Sequence, residues 1–463
     1  MTKPDASRLE LCLSILAQRF GPRLSTVADV RRQHANTLTW LENQPPDAVI
    51  WPTSTLEVAE IVSLASAHKV PLIAYGAGTS LEGHLNAPFG GISVDMSRMD
   101  RIVEVNARDL DCRVEAGVSR RRLNEHLRDQ GLFFPVDPGA EEATLGGMAA
   151  TRASGTTTVR YGSMRENVLN VTAVMADGSI VKTGSRARKS AAGYDLTRLL
   201  IGSEGTLGII TELTLRLYGI PESMLAAVCP FATLEGACNA AMDAVGQGLG
   251  VARIELLDAT QIAAVNVHAK LALEETPTLF LEFHGTPAAT RAEVAAFEAI
   301  ARDNGALRFD WAATEDDRRR LWKARHEAYW AIRATAKGRA ILATDVCVPV
   351  SRLAQCVLET VEDAARCGLT APILGHVGDG NFHATPLIDA ESPAEVAALK
   401  GFLGRLAARA IAHGGTCTGE HGIGQGKKAY LAAEAGTALP VMATIKRALD
   451  PDGLLNPGKI IEE

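Results

Sequence analysis

The chain has 463 residues, of which 47% are hydrophobic and 5% are aromatic, and its formal net charge is −7. This length predicts roughly two or three domains, and the hydrophobic fraction is ample for their cores. The acidic balance, without a basic domain, argues against nucleic acid as the main partner, and the low aromatic content argues against a stacking platform for single strands.

The cysteines and the apolar segments bear on location. Eight cysteines are scattered along the chain without a Cys-x-x-Cys pair, which argues against an iron–sulfur cluster or a zinc ribbon and favours reduced, buried thiols. The N-terminus lacks the features of a signal peptide, and no window approaches the roughly 18 apolar residues that span a bilayer. A cytoplasmic location is predicted, and peripheral contact at the inner membrane stays open.

The first half of the chain alternates helix and strand patterns. An amphipathic pattern over 8–19 predicts a helix, and Ser54 with Glu57 has capping-box spacing for a second one. Apolar or alternating runs predict strands at 70–75, 92–95, 102–105, 112–116, 171–176, 179–181 and 210–217, and a helix at 119–130.

Two regions of this half are rich in glycine. Residues 76–84 form a glycine- and hydroxyl-rich loop after a predicted strand, and backbone N–H groups in such a turn can form an anion-binding nest. The third glycine is misplaced for Gly-x-Gly-x-x-Gly, so this is not a Rossmann fingerprint, and an ordinary tight turn is the alternative. Residues 134–162 are too apolar for a linker, and backbone lying against a flat ligand would account for their small side chains.

Pro221 marks a break, after which helix and strand patterns alternate again. Helices are predicted at 233–247, 288–303, 316–336, 351–367 and from 438 to about 450, and strands at 278–283, 340–346 and 373–376. Strands that return between helices predict an α+β layer, with an antiparallel sheet covered on one face.

Two glycine-rich stretches in this half carry histidines. His376 and His383 lie in residues 375–383, and Glu420 is followed at once by His421. Two imidazoles and a carboxylate are a common ligand set for a divalent metal such as zinc or manganese, and the adjacent histidine suits a base near neutral pH. Loop histidines bonded to backbone are the alternative for any one of them. The group as a whole favours a site without specifying its chemistry.

Arg325 lies on a predicted helix. Taken alone, it is most simply a solvated or ion-paired helix residue. Its guanidinium could instead hold a substrate carboxylate through two parallel hydrogen bonds.

Together these stretches resemble the FAD-dependent 2-hydroxyacid dehydrogenases of the vanillyl-alcohol-oxidase/PCMH-type flavoprotein group. The resemblance covers about residues 40–460 and is strongest to the D-lactate dehydrogenase (cytochrome)-like branch, with D-2-hydroxyglutarate dehydrogenase and the D-type subunit of glycolate oxidase as relatives. The motifs that carry it are residues 76–84, 144–147, 154–155, 161–162, 202–210, 375–383 and 419–422.

The resemblance implies an α+β fold. A PCMH-type FAD-binding domain of two α/β subdomains is expected over 41–220, after an N-terminal helical segment over 1–40. A cap domain, with an antiparallel sheet covered by helices, is expected over 221–425, and residues 426–463 are expected to return to the FAD domain.

The resemblance also implies the site residues. His376, His383 and Glu420 would bind the metal, His421 would be the base, and Arg325 or Lys337 would hold the substrate carboxylate. FAD would be bound non-covalently, despite His84 in the loop. Its contacts would be Gly76, Ala77, Gly78, Thr79, Ser80, Gly83, His84, Pro138, Gly139, Thr144, Leu145, Gly146, Gly147, Ser154, Gly155, Tyr161, Gly162, Glu204, Gly208, Ile209, Ile210 and Asn456.

The implied activity is FAD- and metal-dependent oxidation of a D-2-hydroxyacid. D-Lactate, oxidised to pyruvate, is the favoured substrate, because Thr385 stands where hydroxyglutarate relatives would have asparagine and residues 345–349 look like the lactate branch. Residues 334–340 depart from that branch. D-2-Hydroxyglutarate or glycolate is the alternative, as is a flavin subunit of a multi-chain complex. The electron acceptor, whether quinone, cytochrome or electron-transfer flavoprotein, stays open.

Overall fold

The computed structural model describes residues 3–35, 41–312 and 314–462. Residues 36–40, the end of the expected N-terminal segment, lie outside this range. The chain forms two compact units, of which the first comprises Met1–Ser154, Gly162–Ile220 and Glu420–Glu463. The second comprises Gly155–Tyr161 and Pro221–Gly419.

The secondary structure of the described residues is as follows. The helices are α1 (Ala6–Phe20), α2 (Ala28–Gln33), α3 (Thr55–His68), α4 (Arg120–Arg128), α5 (Leu145–Thr151), α6 (Thr158–Tyr161), α7 (Met164–Asn167), α8 (Leu196–Leu200), α9 (Leu234–Gly246), α10 (Ala259–Ala269), α11 (Pro287–Asp303), α12 (Glu315–His326), α13 (Ala328–Thr335), α14 (Leu353–Arg366), α15 (Pro393–Ala412), α16 (Lys428–Ala435) and α17 (Leu439–Leu449). The strands are β1 (Leu24–Ser25), β2 (Ala48–Ile50), β3 (Leu72–Tyr75), β4 (Ile92–Asp95), β5 (Ile102–Asn106), β6 (Asp111–Glu115), β7 (Leu132–Phe133), β8 (Val168–Val174), β9 (Ile180–Lys182), β10 (Ile209–Arg216), β11 (Tyr218–Gly219), β12 (Ser223–Pro230), β13 (Val251–Leu257), β14 (Thr278–Gly285), β15 (Asp310–Trp311), β16 (Ala340–Ile341), β17 (Val346–Cys347), β18 (Ile373–Gly375), β19 (Asn381–Ala384) and β20 (Leu387–Ile388).

The first unit contains two main sheets. One has the order β1-β2-β4-β3, in which β4 pairs in parallel with β2 and β3, and the other has the antiparallel order β5-β6-β10-β8-β9. Helix α3 starts as predicted, because the Ser54 side chain accepts a hydrogen bond from the Glu57 N–H. Its buried residues Val58, Ile61 and Val62 join one core with residues of both sheets.

The second unit is built on an antiparallel sheet with the order β15-β12-β14-β13-β18-β19-β17. Side chains of successive strand residues point to opposite faces, so the alternation in β14 separates two cores. Leu279 and Leu281 pack in a core with residues of α9, α11, α14 and α15, whereas Phe280 packs with residues of α10, α12 and α13. Helices therefore cover both faces of this sheet, and the prediction of one covered face is wrong.

Two elements of the second unit that were predicted to be continuous are each divided into two elements in the structure. The predicted helix 316–336 is two helices, α12 and α13, separated at Glu327. The predicted strand 340–346 is divided because its ends have different partners: β16 pairs with β20, and β17 pairs with β19. Neither division carries a proline or glycine that would have marked it in the sequence.

Among the described residues, no helix is long and apolar enough to cross a membrane. The eight cysteines form no disulfide, and six of them are buried, in agreement with the burial expected for them. Cys347 and Cys367 are half-buried.

Candidate functional site

His376 and His383 are brought together by the pairing of β18 with β19. Leu374 pairs with His383 across these strands, and His376 follows directly after β18. The two imidazole rings are nearly perpendicular, with centroids 5.5 Å apart, and a ring nitrogen of each lies within 4.8 Å of the other's. This geometry lets both rings offer a nitrogen to one metal ion.

The hydrogen bonds of these rings define their tautomers. His383 Nδ1 lies 2.8 Å from the backbone oxygen of Thr344, and His376 Nδ1 lies 2.8 Å from Glu255 Oε1. Carbonyl and carboxylate oxygens only accept, so each Nδ1 carries a proton. In the neutral form of each ring, Nε2 then carries the lone pair that a metal requires.

Glu255 is the residue that sequence reasoning missed. Strand β13 pairs with β18 so that Leu256 is opposite Gly375, which places Glu255 beside His376. The Glu255 side chain is fully buried and also accepts a hydrogen bond from Arg325. No local motif marks this glutamate, because its partners lie 70 and 121 residues away in the chain.

Arg325 is buried on α12, and the ion-paired interpretation of it holds, with Glu255 as the partner. Its Nε is also buried and has no hydrogen-bond partner among the described residues. A buried donor of this kind suits an anionic ligand. Lys337 is exposed in the turn after α13, with φ of +48°.

The glycine-rich loop of the first unit follows β3. A Cβ atom at Gly76 would lie 2.3 Å from Thr144 Oγ1, so only glycine fits against the start of α5. Gly78 has φ of +72°, which favours glycine. Within the described residues, the backbone N–H groups of Ala77, Gly78 and Thr79 donate no hydrogen bond, and such groups suit the oxygens of a pyrophosphate.

His84, at the end of this loop, and Glu204 form a buried pair. His84 Nε2 lies 3.3 Å from Glu204 Oε2, and Glu204 also accepts hydrogen bonds from the N–H groups of Ile423 and Gly424. Burial alone would raise the pKa of Glu204, but His84 and these two N–H groups more than offset it and hold the pKa below its usual value. His84 Nδ1 is buried without a hydrogen-bond partner in the described part of the chain, so a ligand could supply one.

Glu420 and His421 both belong to the first unit. The Ser154 hydroxyl donates a hydrogen bond to Glu420 Oε2 at 2.7 Å. His421 Nδ1 lies 3.7 Å from Glu82 Oε1, and Lys427 Nζ lies 3.5 Å from the same oxygen. Burial raises the pKa of Glu82, but Lys427 and His421 reverse the effect and lower it. An ionised Glu82 therefore faces the predicted base.

The C-terminal segment completes the polar interior of the first unit. Asn456 Nδ2 donates to the backbone oxygens of His84 and Glu204, and Lys459 Nζ donates to the backbone oxygen of Asn86. Burial lowers the pKa of Lys459 to about 7, against the opposing effect of Glu204. These bonds tie Asn456 to the loop and to Glu204, two of the stretches expected to contact FAD.

The other expected flavin contacts divide between the units. The structure places Ser80, Gly83, Pro138, Gly139, Leu145, Gly146, Gly147, Ser154, Gly162, Gly208, Ile209 and Ile210 in the first unit, and Gly155 and Tyr161 in the second. Gly146 must be small, because a Cβ atom there would lie 2.6 Å from that of Ala116.

Tyr161 belongs to a polar chain that the sequence did not reveal. Its hydroxyl lies 2.8 Å from His284 Nδ1, and His284 Nε2 lies 2.7 Å from Glu282 Oε1. Arg318 and Arg253 also pair with Glu282. Burial opposes ionisation of this carboxyl, but Arg253, His284 and Arg318 together lower its pKa.

The fold and the buried polar groups define a flavoprotein of the PCMH type. Residues 46–184 match the family described as the FAD binding domain, and residues 220–460 match the FAD linked oxidases, C-terminal domain. The chain belongs to the FAD-linked oxidases and is an oxidoreductase similar to D-lactate dehydrogenases (cytochrome).

Relatives in several organisms support this assignment. The chain is 49% identical over 443 residues to the probable mitochondrial D-lactate dehydrogenase of Danio rerio, covering 95% of this chain and 89% of the relative. It is 39% identical to D-lactate dehydrogenase [cytochrome] 1, mitochondrial, of Saccharomyces cerevisiae, covering 99% and 81%. It is 33% identical to the glycolate oxidase subunit GlcD of Bacillus subtilis, covering 90% and 89%.

Solved structures confirm the fold class. The chain resembles p-cresol methylhydroxylase with a TM-score of 0.83 at 15% identity, covering 100% of this chain and 99% of the other. It resembles 4-ethylphenol oxidase from Gulosibacter chungangensis with a TM-score of 0.79 at 20% identity, covering 99% and 98%. At these identities the likeness establishes the architecture alone.

Proposed function

We propose that this protein oxidises D-lactate to pyruvate with FAD and a divalent metal ion. The observation that carries the proposal is the arrangement on one face of the β13–β18–β19 sheet. His376 and His383 present Nε2 lone pairs there, and Arg325 reaches the same carboxylate as His376. Relatives at 39–49% identity are named D-lactate dehydrogenases, which agrees with this choice of substrate.

His376, His383 and Glu420 are the proposed metal ligands. Two imidazoles and a carboxylate are ligands for both zinc and manganese, so the donor set fits either metal without identifying it. Thr418 lies two residues before Glu420 in the chain, and its hydroxyl donates a hydrogen bond to Asp345 at 2.8 Å. A bound cation would lower the pKa of a substrate hydroxyl that it contacts.

His421 is the proposed base, and Arg325 the proposed anchor of the substrate carboxylate. Oxidation of the alcohol removes the hydroxyl proton, which His421 takes, and a hydride from the same carbon. FAD, held by the glycine-rich loop and its neighbours, supplies the hydride acceptor when bound. The Arg325 guanidinium can meet a planar carboxylate with two parallel hydrogen bonds. Lys337 is the weaker candidate for that role.

Thr385 supports a small substrate. It is buried, donates a hydrogen bond to the backbone oxygen of Pro372, and lies 3.2 Å from Gln261 Nε2. Its hydroxyl is thus engaged within the protein rather than offered to a second carboxylate. This favours a monocarboxylic acid over D-2-hydroxyglutarate.

Glycolate oxidation within a larger complex is the second candidate, favoured by the relative from Bacillus subtilis that is named as a subunit. A cytochrome is the proposed acceptor, because relatives carry that word in their names. The cytoplasmic location with peripheral contact at the inner membrane stays a prediction, and relatives from animals, plants and yeasts are named mitochondrial.

The test is turnover of the purified chain with an artificial electron acceptor. D-Lactate, L-lactate, D-2-hydroxyglutarate and glycolate are compared in flavin-loaded protein with manganese or zinc. The proposal predicts the highest kcat/KM for D-lactate. Turnover of glycolate alone, or turnover only after a partner chain is added, would favour the second candidate.

A further inference from the structure

We propose that Glu255 is a positioning residue that orients the metal ligand His376 and the substrate anchor Arg325 together. The inference rests on the proposed function, because it concerns the same site. It adds a specific role for a buried carboxylate that is not among the proposed metal ligands or substrate contacts.

Two residues, His376 and Arg325, donate hydrogen bonds to the carboxylate of Glu255. His376 Nδ1 lies 2.8 Å from its Oε1 and 2.9 Å from its Oε2, and Arg325 Nη2 donates to Oε2. Only 6% of the Arg325 side chain and 12% of the His376 side chain are exposed, and none of the Glu255 side chain is. These three side chains are therefore shielded from bulk water, and the donors depend on the carboxylate as their acceptor.

The sheet fixes this carboxylate in place. Glu255 is a central residue of β13, which pairs with β14 on one side and with β18 on the other. Pairing on both sides holds the backbone of Glu255, and full burial restricts its side chain, so the carboxylate has little freedom to follow its partners. His376 and Arg325 must therefore adopt the orientations that the sheet imposes.

The chemistry requires a carboxylate at this position. A neutral His376 ring that donates from Nδ1 carries its lone pair on Nε2, so Glu255 selects the tautomer that binds a metal. Its negative charge also makes the ring a stronger donor to a cation. A glutamine is neutral, and its amide nitrogen would place a donor where the carboxylate offers a second acceptor oxygen to these two donors.

The competing explanation is that Glu255 only neutralises a buried arginine. Glu282, on the adjacent strand β14, provides the matched comparison. It is 1% exposed, pairs with Arg318 at 2.9 Å and with Arg253 at 3.6 Å, and contacts the imidazole of His284 rather than His376. Replacing Glu282 therefore removes an equally buried, arginine-paired carboxylate without touching the proposed metal ligands.

The experiment measures manganese affinity in the full-length, flavin-loaded protein without substrate, by competition with a chelator. Glu255→Ala is expected to weaken manganese binding roughly 10- to 100-fold, as losses of such supporting partners do. Glu255→Gln keeps the volume and one acceptor oxygen, and is expected to give a smaller loss. Glu282→Gln is expected to bind manganese as the unsubstituted protein does. Retained flavin absorbance reports that each variant is folded.

A second readout separates the two partners of Glu255. Because Glu255 also orients Arg325, Glu255→Gln is expected to raise the KM for D-lactate even at saturating manganese. The electron paramagnetic resonance spectrum of bound manganese should also differ between Glu255→Gln and the unsubstituted protein.

The outcomes are distinguishable. Manganese affinity that is unchanged in folded Glu255→Gln and Glu255→Ala overturns the inference, as does an equal loss in Glu282→Gln. Failure of the unsubstituted protein to bind manganese or zinc would instead overturn the metal-dependent function on which the inference rests.

Discussion

At the scale of single residues, the role of Arg325 depends on its fork of donors. Arg325→Lys keeps the charge but loses the planar pair of N–H groups, and a charged hydrogen bond contributes about 1.5–3 kcal/mol. We expect the KM for D-lactate to rise roughly 10- to 150-fold, with a smaller change in kcat. Steady-state kinetics check this.

The matched control lies on the same helix. Arg319 is 69% exposed and pairs with the exposed Glu315, so Arg319→Lys should leave both constants unchanged. An unaltered KM in Arg325→Lys would remove Arg325 from the substrate site.

Single residues also show which parts of the candidate site could be predicted from the sequence. His376 and His383 could be singled out because they share one glycine-rich stretch, and the structure brings their rings together. Glu255 could not, because its relation to them exists only once β13 pairs with β18. The buried His284 and Glu282 were missed for the same reason, since two residues of one strand signal nothing without their neighbours.

At the scale of elements, the glycine-rich loop depends on its contact with α5. Thr144 caps α5 by accepting a hydrogen bond from the Gly147 N–H, and a Cβ atom at Gly76 would strike its hydroxyl. Gly76→Ala should therefore displace the loop or break the cap, at about 1 kcal/mol for the cap alone, and lower the flavin bound per chain.

Gly219→Ala is the control for that substitution, because nothing lies within 4 Å of a Cβ atom there. The ratio of flavin to protein absorbance measures both variants. Full flavin content in Gly76→Ala would show that the loop tolerates a side chain at this position.

The ion pair between Arg23 and Glu57, at the start of α3, is expected to make the stability of the protein depend on pH. Arg23 forms two hydrogen bonds to Glu57, at 2.6 and 2.7 Å, and together with Thr53 it lowers the pKa of Glu57 from 4.5 to about 2 despite partial burial. Because this carboxyl has its lowered pKa only when folded, its contribution is complete above pH 4.5 and is lost as the pH falls towards 2.

Glu57→Gln should accordingly lower the free energy of unfolding by about 1–3 kcal/mol at neutral pH, and less as the pH falls through that window. Denaturant titrations measure the difference. Glu60→Gln, which removes an ion pair to an exposed Arg19, should change little at any pH. A pH-independent loss in Glu57→Gln would contradict the assigned ion pair.

Elements with a local signal were predictable, whereas elements defined by their partners were not. Helix α3 was found from its cap and apolar face, and the β8–β9 hairpin from its Asp177-Gly178 turn. Strand β12 is absent from the predictions because most of its residues, Ser223–Pro230, are apolar or small and do not alternate. The division of 340–346 into β16 and β17 arises from two separate pairings that no local pattern encodes.

At the scale of the whole molecule, the PCMH-type architecture was predictable because several separated motifs occur in the order of one family. Prediction from the sequence reaches its limit in the motifs 154–155 and 161–162, because each contains one residue of the first unit and one of the second. Gly155 and Tyr161, which are expected to contact FAD, belong to the second unit, where the Tyr161 hydroxyl lies 2.8 Å from His284 Nδ1. Small residues in the sequence indicate that another group approaches the backbone closely, but they do not identify that group.

Flavin attachment is a prediction for the whole protein. His84, the residue that could suggest a covalent link, is buried and pairs through Nε2 with Glu204. The prediction of non-covalent binding is that acid precipitation releases FAD into the supernatant. Yellow colour that remains with the precipitate would contradict non-covalent binding.

The most direct measurement of the central claim is anaerobic reduction of the bound flavin in metal-free protein, with and without added manganese or zinc. D-Lactate should bleach the oxidised-flavin absorbance only when metal is present, and L-lactate should not. Equal bleaching by D-lactate without metal, or none with it in folded yellow protein, would contradict the account.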